Sequence, residues 1–206
     1  YITGIGKLSS TSIRLSYTVC AVADNEKEIE FKSENLKQYL LDNYDIDKDN
    51  KITAFDMAQI ENLEIYLYQN EIDLQGMEYA TSLETLKLYG TYSNYEVLEN
   101  LPKLKDIKID SSPLSNEEYE TIINLPKLEK VQIYFEDTSN FDFGNLPSNI
   151  KEFGITGNIT DIKNIEKNMN LTSLILIGNG RNGINNLDVI NQLTNLIYLD
   201  IENTNL

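Results

Sequence analysis

The sequence predicts an α/β chain wound as a solenoid behind a small helical cap, on three observations. An apolar template, L-x-x-L-x-L, recurs in one register. It is filled by Ile60, Leu63 and Ile65; Leu83, Leu86 and Leu88; Leu104, Ile107 and Ile109; Leu128, Val131 and Ile133; Ile150, Phe153 and Ile155; Leu171, Leu174 and Leu176; and Leu196, Leu199 and Ile201. The starts lie 23, 21, 24, 22, 21 and 25 residues apart, a period that belongs to solenoids. A second apolar phase accompanies the first. Leu101, Leu125 and Leu193 each lead into the next start, with Leu98, Ile122 and Ile190 three residues earlier, which is the spacing of a short helical face behind the strand. Third, the chain ahead of Ile60 has no template and instead carries a helical pattern with its own cap.

Over residues 60–206 these repeats resemble the leucine-rich repeat family, about seven copies with the last incomplete. The resemblance implies a curved solenoid with short parallel strands on its concave face and helical or 3₁₀ turns on its convex side. No single repeat can bury its template residues alone, so stacking on neighbours is what folds it. The final NTNL stops partway through a repeat, and the natural chain is expected to continue.

Taken in order, residues 1–30 form an N-terminal strand and linker segment. Ile13, Leu15, Tyr17 and Val19 alternate with Arg14, Ser16 and Thr18 as a strand would, and Asp24 to Glu30 reads as a solvated linker. Ala21-Val22-Ala23 has the small residues of a signal-peptidase site, but residues 1–20 lack an apolar core region. The end of a preceding β segment is therefore favoured over a targeting remnant. Residues 31–59 form the cap. Ser33 is a good helix N-cap, Leu36, Tyr39, Leu40 and Tyr44 share one helical face, and a second short helical pattern runs from Phe55 to Ile60.

Between those helices lies DIDKDNKITAFD, Asp45 to Asp56, with acidic residues at positions 1, 3, 5 and 12 of a twelve-residue frame. It resembles an EF-hand. Hard calcium needs six to eight oxygens, which Asp45, Asp47, Asp49, the Lys51 carbonyl and Asp56 would supply around one point, with Ile52 anchoring the loop from behind. Asn50 replaces the usual glycine but tolerates a left-handed backbone, and the short Asp56 replaces glutamate, so Ca²⁺ binding is expected to be weak. The alternative is a metal-free acidic cap. Dockerin modules also end such loops in aspartate, but they carry two loops and only one occurs here, so cohesin binding is not expected. A cap of this kind ahead of leucine-rich repeats resembles the internalin-like surface proteins of bacteria. That resemblance implies export to the extracellular space or bacterial cell surface, and adhesion or receptor binding.

Gly178, Gly180 and Gly183 fall into G-x-G-x-x-G after an apolar run, the fingerprint of a dinucleotide loop. Yet Gly178 is the eighth position of its template, where Gly90 and Gly157 also stand, and a repeat of 25 residues is too short for a βαβ unit. The glycines belong to the solenoid turn, and no nucleotide cofactor is expected.

Composition narrows the function. A net charge of −16 disfavours nucleic acid and anionic lipid, and no run is long and apolar enough to insert in a membrane. Cys20 stands alone, there is no histidine to act as base or zinc ligand, and no G-x-S-x-G occurs, so an enzyme is not expected. Strand alternation points two columns outward: Glu64, Lys87, Lys108, Gln132, Gly154, Ile175 and Asp200; and Tyr66, Tyr89, Asp110, Tyr134, Thr156, Ile177 and Glu202. Tyr66, Lys87, Tyr89, Lys108, Asp110, Gln132 and Tyr134 are the candidate ligand-binding residues, because tyrosine supplies contact area and a polar handle at modest entropic cost. The expected function is recognition of a protein or glycan through that face; the alternative is a structural spacer with no ligand of its own. The sequence leaves the oligomeric state open.

Overall fold

A computed structural model describes residues 27–205. The expected strand at Ile13 to Val19, the Ala21-Val22-Ala23 site and Cys20 lie outside the described residues.

The cap begins with α1, Glu34–Tyr44, whose N-terminus is closed by the Ser33 hydroxyl accepting from the Leu36 N–H at 3.4 Å. Leu36 and Leu40 are fully buried, and Tyr39 and Tyr44 are partly buried on the same face. The second helix, α2, is a single turn, Ala54–Met57, shorter than the Phe55 to Ile60 pattern suggested. A capping box sets its start: Thr53 accepts from the Asp56 N–H, and Asp56 accepts from the Thr53 N–H at 2.9 Å. The stretch read as a solvated linker ends differently from expectation. Ile29 is buried and its N–H donates to the Ile52 carbonyl at 2.8 Å, so the apolar residue in an otherwise charged run pins the segment to the cap loop.

Seven strands come next: β1 Asn62–Asp73, β2 Thr85–Ser93, β3 Asp106–Asp110, β4 Lys130–Phe135, β5 Glu152–Gly157, β6 Ser173–Gly178 and β7 Tyr198–Glu202. They form one sheet in chain order, every neighbouring pair parallel. The template residues share its register, with Leu63, Leu86, Ile107, Val131, Phe153, Leu174 and Leu199 in one row and the next apolar row beside it. From Ile60 to Leu176 all template residues are buried, and the exposed Leu199 marks the β7 edge of the described sheet. Behind the strands run 3₁₀ turns at Met77–Tyr79, Tyr95–Asn100, Ile165–Lys167 and Leu187–Gln192 and a helix, α3, at Asn116–Ile123. The connection from β4 to β5 has no helix; Phe141 and Phe143 fill its interior, packed edge-on against Phe135.

Two polar devices hold the turns. Asn94, Asn164 and Asn186 each sit left-handed at the start of a 3₁₀ turn, with φ of 64°, 64° and 58°. Each donates its side-chain amide to a carboxylate one repeat earlier: Asp73 at 2.9 Å, Asp142 at 2.7 Å and Asp161 at 3.4 Å. The second device is the eighth template position, where the strand turns away: Gly90, Ser111, Gly157 and Asn203 all have positive φ there. At Gly157 (φ +121°) a Cβ would also overlap the Phe135 carbonyl oxygen, so both conformation and space demand glycine.

Gly157→Ala is therefore expected to lower stability by at least about 3 kcal/mol in urea unfolding, strain and overlap combined. Gly180→Ala is the contrast. Its φ is +75° but its nearest neighbour, the Asn203 carbonyl, is 3.9 Å away, so a loss of only about 1 kcal/mol is expected.

Candidate binding face and acidic loop

The sheet register brings the first expected column together complete: Glu64, Lys87, Lys108, Gln132, Gly154, Ile175 and Asp200 are successive partners. The second column pairs Tyr66 with Tyr89 and Tyr89 with Asp110, then Tyr134 with Thr156, Ile177 and Glu202; the β3–β4 pairing itself ends at Ile109 and Ile133. Within it the Tyr66 and Tyr89 rings stack, centroids 4.5 Å apart and planes 7° from parallel. Lys108 Nζ lies 5.5 Å from the Tyr89 ring centroid, placing a cation beside the stack, and 3.5 Å from the Asp110 carboxylate. Tyr66 donates its hydroxyl to Glu64, which holds the Glu64 carboxyl below its ordinary range and raises the phenol. The Gln132 side chain lies over Gly154, where a Cβ would come within 2.8 Å of Gln132 Cγ, and its amide donates to Thr156 at 3.3 Å.

A third column, two residues earlier on each strand, belongs to the same face: Thr85, Asp106, Lys130 and Glu152 are successive partners. Lys130 pairs with Glu152 at 2.7 Å, and burial pushes the half-buried Asp106 carboxyl up, against the pull of Lys130. The alternation that found the other columns reaches these residues one step further back. Of these, Asp106, Lys130 and Glu152 line, with Lys87 and Lys108, a hollow of about 310 Å³ on a face where lysine and carboxylate alternate.

In the acidic loop, single carboxylate oxygens of Asp45, Asp47 and Asp49 all lie within 4.8 Å of one another. Asn50 has the left-handed backbone its position requires, φ 64°, and Lys48 is left-handed too, φ 61°. Ile52 is fully buried, the expected anchor. Asp56 has a different setting: fully buried, it accepts from the Thr53 N–H and hydroxyl at 2.9 and 2.6 Å and from the Ile46 N–H at 3.2 Å. The three forward carboxylates and the left-handed turn fit a hard cation, whereas Asp56 is occupied by the helix start.

The sequence matches no protein-family model and no curated protein. Solved structures do resemble this one. An internalin C2 of Listeria monocytogenes aligns with a TM-score of 0.51 at 20% identity, over 73% of this chain and 65% of that one. An internalin, InlF, of the same species aligns with a TM-score of 0.55 at 22% identity, over 82% of this chain and 49% of that one. The fold is a leucine-rich repeat solenoid. At such identities the likeness shows the fold alone, and this chain spans about two thirds of one of those chains and about half of the other.

Within the solenoid the G-x-G-x-x-G spacing has a packing cause. A Cβ on Gly178 would come within 2.5 Å of the Asn203 carbonyl, and one on Gly183 would meet that of Asn205, so these glycines make room for the turn of the next repeat. Gly178 shares the eighth position with Gly90 and Gly157 but lacks their positive φ. Beyond Gly183 the chain enters a turn and a short 3₁₀ segment, not the helix a pyrophosphate requires. Sequence reasoning also missed a wide hollow of about 860 Å³ at the ends of β4, β5 and β6, bordered by Tyr134, Glu136, Asn158 and Arg181. Its residues come from the turns of four repeats, those after β3, β4, β5 and β6, and no single stretch of sequence signals it.

Tyr66→Phe removes the hydroxyl that holds Glu64 down, so the Glu64 pKa should rise toward the ordinary carboxylate value in a carboxyl-carbon NMR titration. The stabilisation from this pair is present above the unfolded-state pKa of glutamate and lost as pH falls through the depressed folded value. In the variant that acid-side loss should shrink.

Proposed function

We propose that this chain is a non-catalytic extracellular recognition module that binds a protein or glycan through the concave face of its repeats. The observation that carries it is the Tyr66–Tyr89 stack with Lys108 beside it, an ordered aromatic and cationic surface outside the buried core. Rings held before binding lose little freedom on contact, which favours them as anchors. The likeness to internalins supports an extracellular or cell-surface setting, and no described helix is long and apolar enough to cross a membrane.

The reading is tested by screening the chain against arrays of extracellular protein domains and glycans, then measuring each hit with variants. Tyr134→Ala and Lys108→Ala are expected to weaken binding by about tenfold or more, as interface anchors do. Glu99→Ala, on the convex side, should leave it unchanged. A spacer would give no hit, or hits indifferent to the concave substitutions.

We also propose that the loop Asp45 to Asp56 takes Ca²⁺ weakly, at a Kd of about 10⁻⁴ to 10⁻³ M, through Asp45, Asp47, Asp49 and the Lys51 carbonyl, with Asp56 bracing the exit helix. Desolvation raises the Asp47 carboxyl, and the charges of Asp49, Asp56 and Asp45 add to it against a backbone hydrogen bond at Asp49. A raised folded pKa means that the ionised form burdens the fold above that value and ceases to below the unfolded one. Asp47→Asn should therefore raise the Tm in EDTA at pH 7 and abolish the rise in Tm that millimolar calcium gives the parent. A parent with neither binding heat nor a calcium-dependent Tm would make the loop a metal-free cap.

A further inference from the structure

We propose that the cleft between α1 and β1 is a saccharide-binding site that takes the end of an uncharged glycan. The inference goes beyond the concave-face reading above: it places a separate ligand at the junction of cap and solenoid, where Tyr66, the first tyrosine of the second column, also forms a wall of the cleft.

The cleft measures about 420 Å³, within the about 300–1,000 Å³ of ligand pockets. Asn35, Gln38 and Asp42 line one wall, three, then four residues apart, so they stand on one face of α1. The opposite wall is Tyr66 and Tyr68 on β1, and both rings are exposed, 51% and 63%. Two large aromatic surfaces left open side by side on one strand do nothing for the core.

Their orientation fits a sugar ring. Tyr66 is stacked on Tyr89 and its hydroxyl is engaged by Glu64, so what it offers to the cleft is a ring in a fixed position. The Tyr39 hydroxyl is likewise engaged, by the Glu64 carbonyl, and Tyr39 serves as wall. The face of an aromatic ring is electron-rich, and the C–H groups on one face of a pyranose carry partial positive charge, so the two stack. The hydroxyls around the edge of that sugar each donate and accept. Amides do both and a carboxylate accepts twice, so Asn35, Gln38 and Asp42 are the complementary set. Gln38 already donates to Asp42 at 2.7 Å, which ties the amide and the carboxylate together on that wall.

Charge selects within the class. Asp42 in the wall and a chain of net charge −16 repel uronate and sialate sugars, leaving neutral ones. Aromatic clefts also take proline-rich peptides in the polyproline conformation, but that backbone offers carbonyl acceptors and few donors. It would bring no donor to the second Asp42 oxygen, the one Gln38 does not reach. A saccharide satisfies both walls.

The test uses the 206-residue chain on an array of neutral gluco-, galacto-, manno- and N-acetylglucosamine oligosaccharides, with proline-rich peptides on the same slide. Titration calorimetry then measures the best saccharide against variants whose thermal unfolding matches the parent. Tyr68→Ala and Asp42→Ala are expected to lower affinity by about tenfold or more. Tyr68→Phe, which keeps the ring, should retain it, and so should Glu99→Ala on the convex side. No retained saccharide, retention that survives Tyr68→Ala and Asp42→Ala, or capture of proline-rich peptides in place of sugars would overturn the site. If Tyr134→Ala abolishes saccharide binding and Asp42→Ala does not, the cleft is wrong and the concave face stands. If the cleft variants alone lose binding and no partner responds to the concave variants, the cleft stands and the concave reading fails.

Discussion

Everything in this molecule depends on one constraint: a single repeat has no second layer of its own, so its template residues are dry only when another repeat lies on each side. The parallel ladder delivers that arrangement and fixes its register. Lys105 and Asp106 both donate to the Glu84 carbonyl, Glu129 and Lys130 to Lys105, Lys151 and Glu152 to Glu129, and Thr172 and Ser173 to Lys151, the same entry bond at each step. A slip of one residue would turn Leu174 and Leu176 outward and Ile175 inward, which the buried row forbids. The outward columns are thus set by the inward ones. Side chains on the outward face are free to vary because register is already fixed beneath them.

The same constraint explains what happens at the ends of the strands. Each rung has to turn out of the sheet within the strand-to-strand spacing of about 4.8 Å, and the turn has to avoid the rung before it. In four repeats the eighth position meets this with a left-handed backbone, at Gly90, Ser111, Gly157 and Asn203. Further round, Asn94, Asn164 and Asn186 take a left-handed turn start and use the freed side-chain amide to reach an aspartate one repeat back. Asparagine suits both tasks, since its amide supplies the donor that aspartate lacks and its backbone accepts positive φ. Turn geometry and repeat-to-repeat attachment are met by one residue type.

This division decides what the chain discloses before it is folded. Template leucines repeat, so the strands and both outward columns were legible from spacing, while their parallel order was implied by the resemblance to leucine-rich repeats. Ser33 and the left-handed Asn50 were legible because capping and backbone preference are local. The Asn–Asp ladder was not, although both partners are in plain sight, because its sequence separations follow crossovers of unequal length and no fixed spacing marks it. The cleft beside Tyr66 and Tyr68 was hidden for a related reason: it exists only because α1 packs across β1, with Leu36 and Leu40 buried beneath it. Ile29 was misread as linker because a lone apolar residue among charges has no periodicity to declare itself.

The acidic loop shows how the cap can be stable in its own right. Four aspartates close together repel, and a loop that relied on a cation to gather them would open without it. Here the backbone already gathers them: Asp45 accepts from the Lys48 and Asn50 N–H groups at 2.8 and 2.9 Å, and Asp49 from the Lys51 N–H at 2.9 Å. Asp56 accepts from three donors on Thr53 and Ile46, and Ile52 is tied to Ile29. Those bonds close the loop from within, and what is left exposed is the crowding around Asp47. A cation would relieve that crowding without having to build the loop. The cap's contact with β1, through Tyr39 and Glu64, therefore does not wait on the metal, and any ligand in the cleft between them meets a wall already in place.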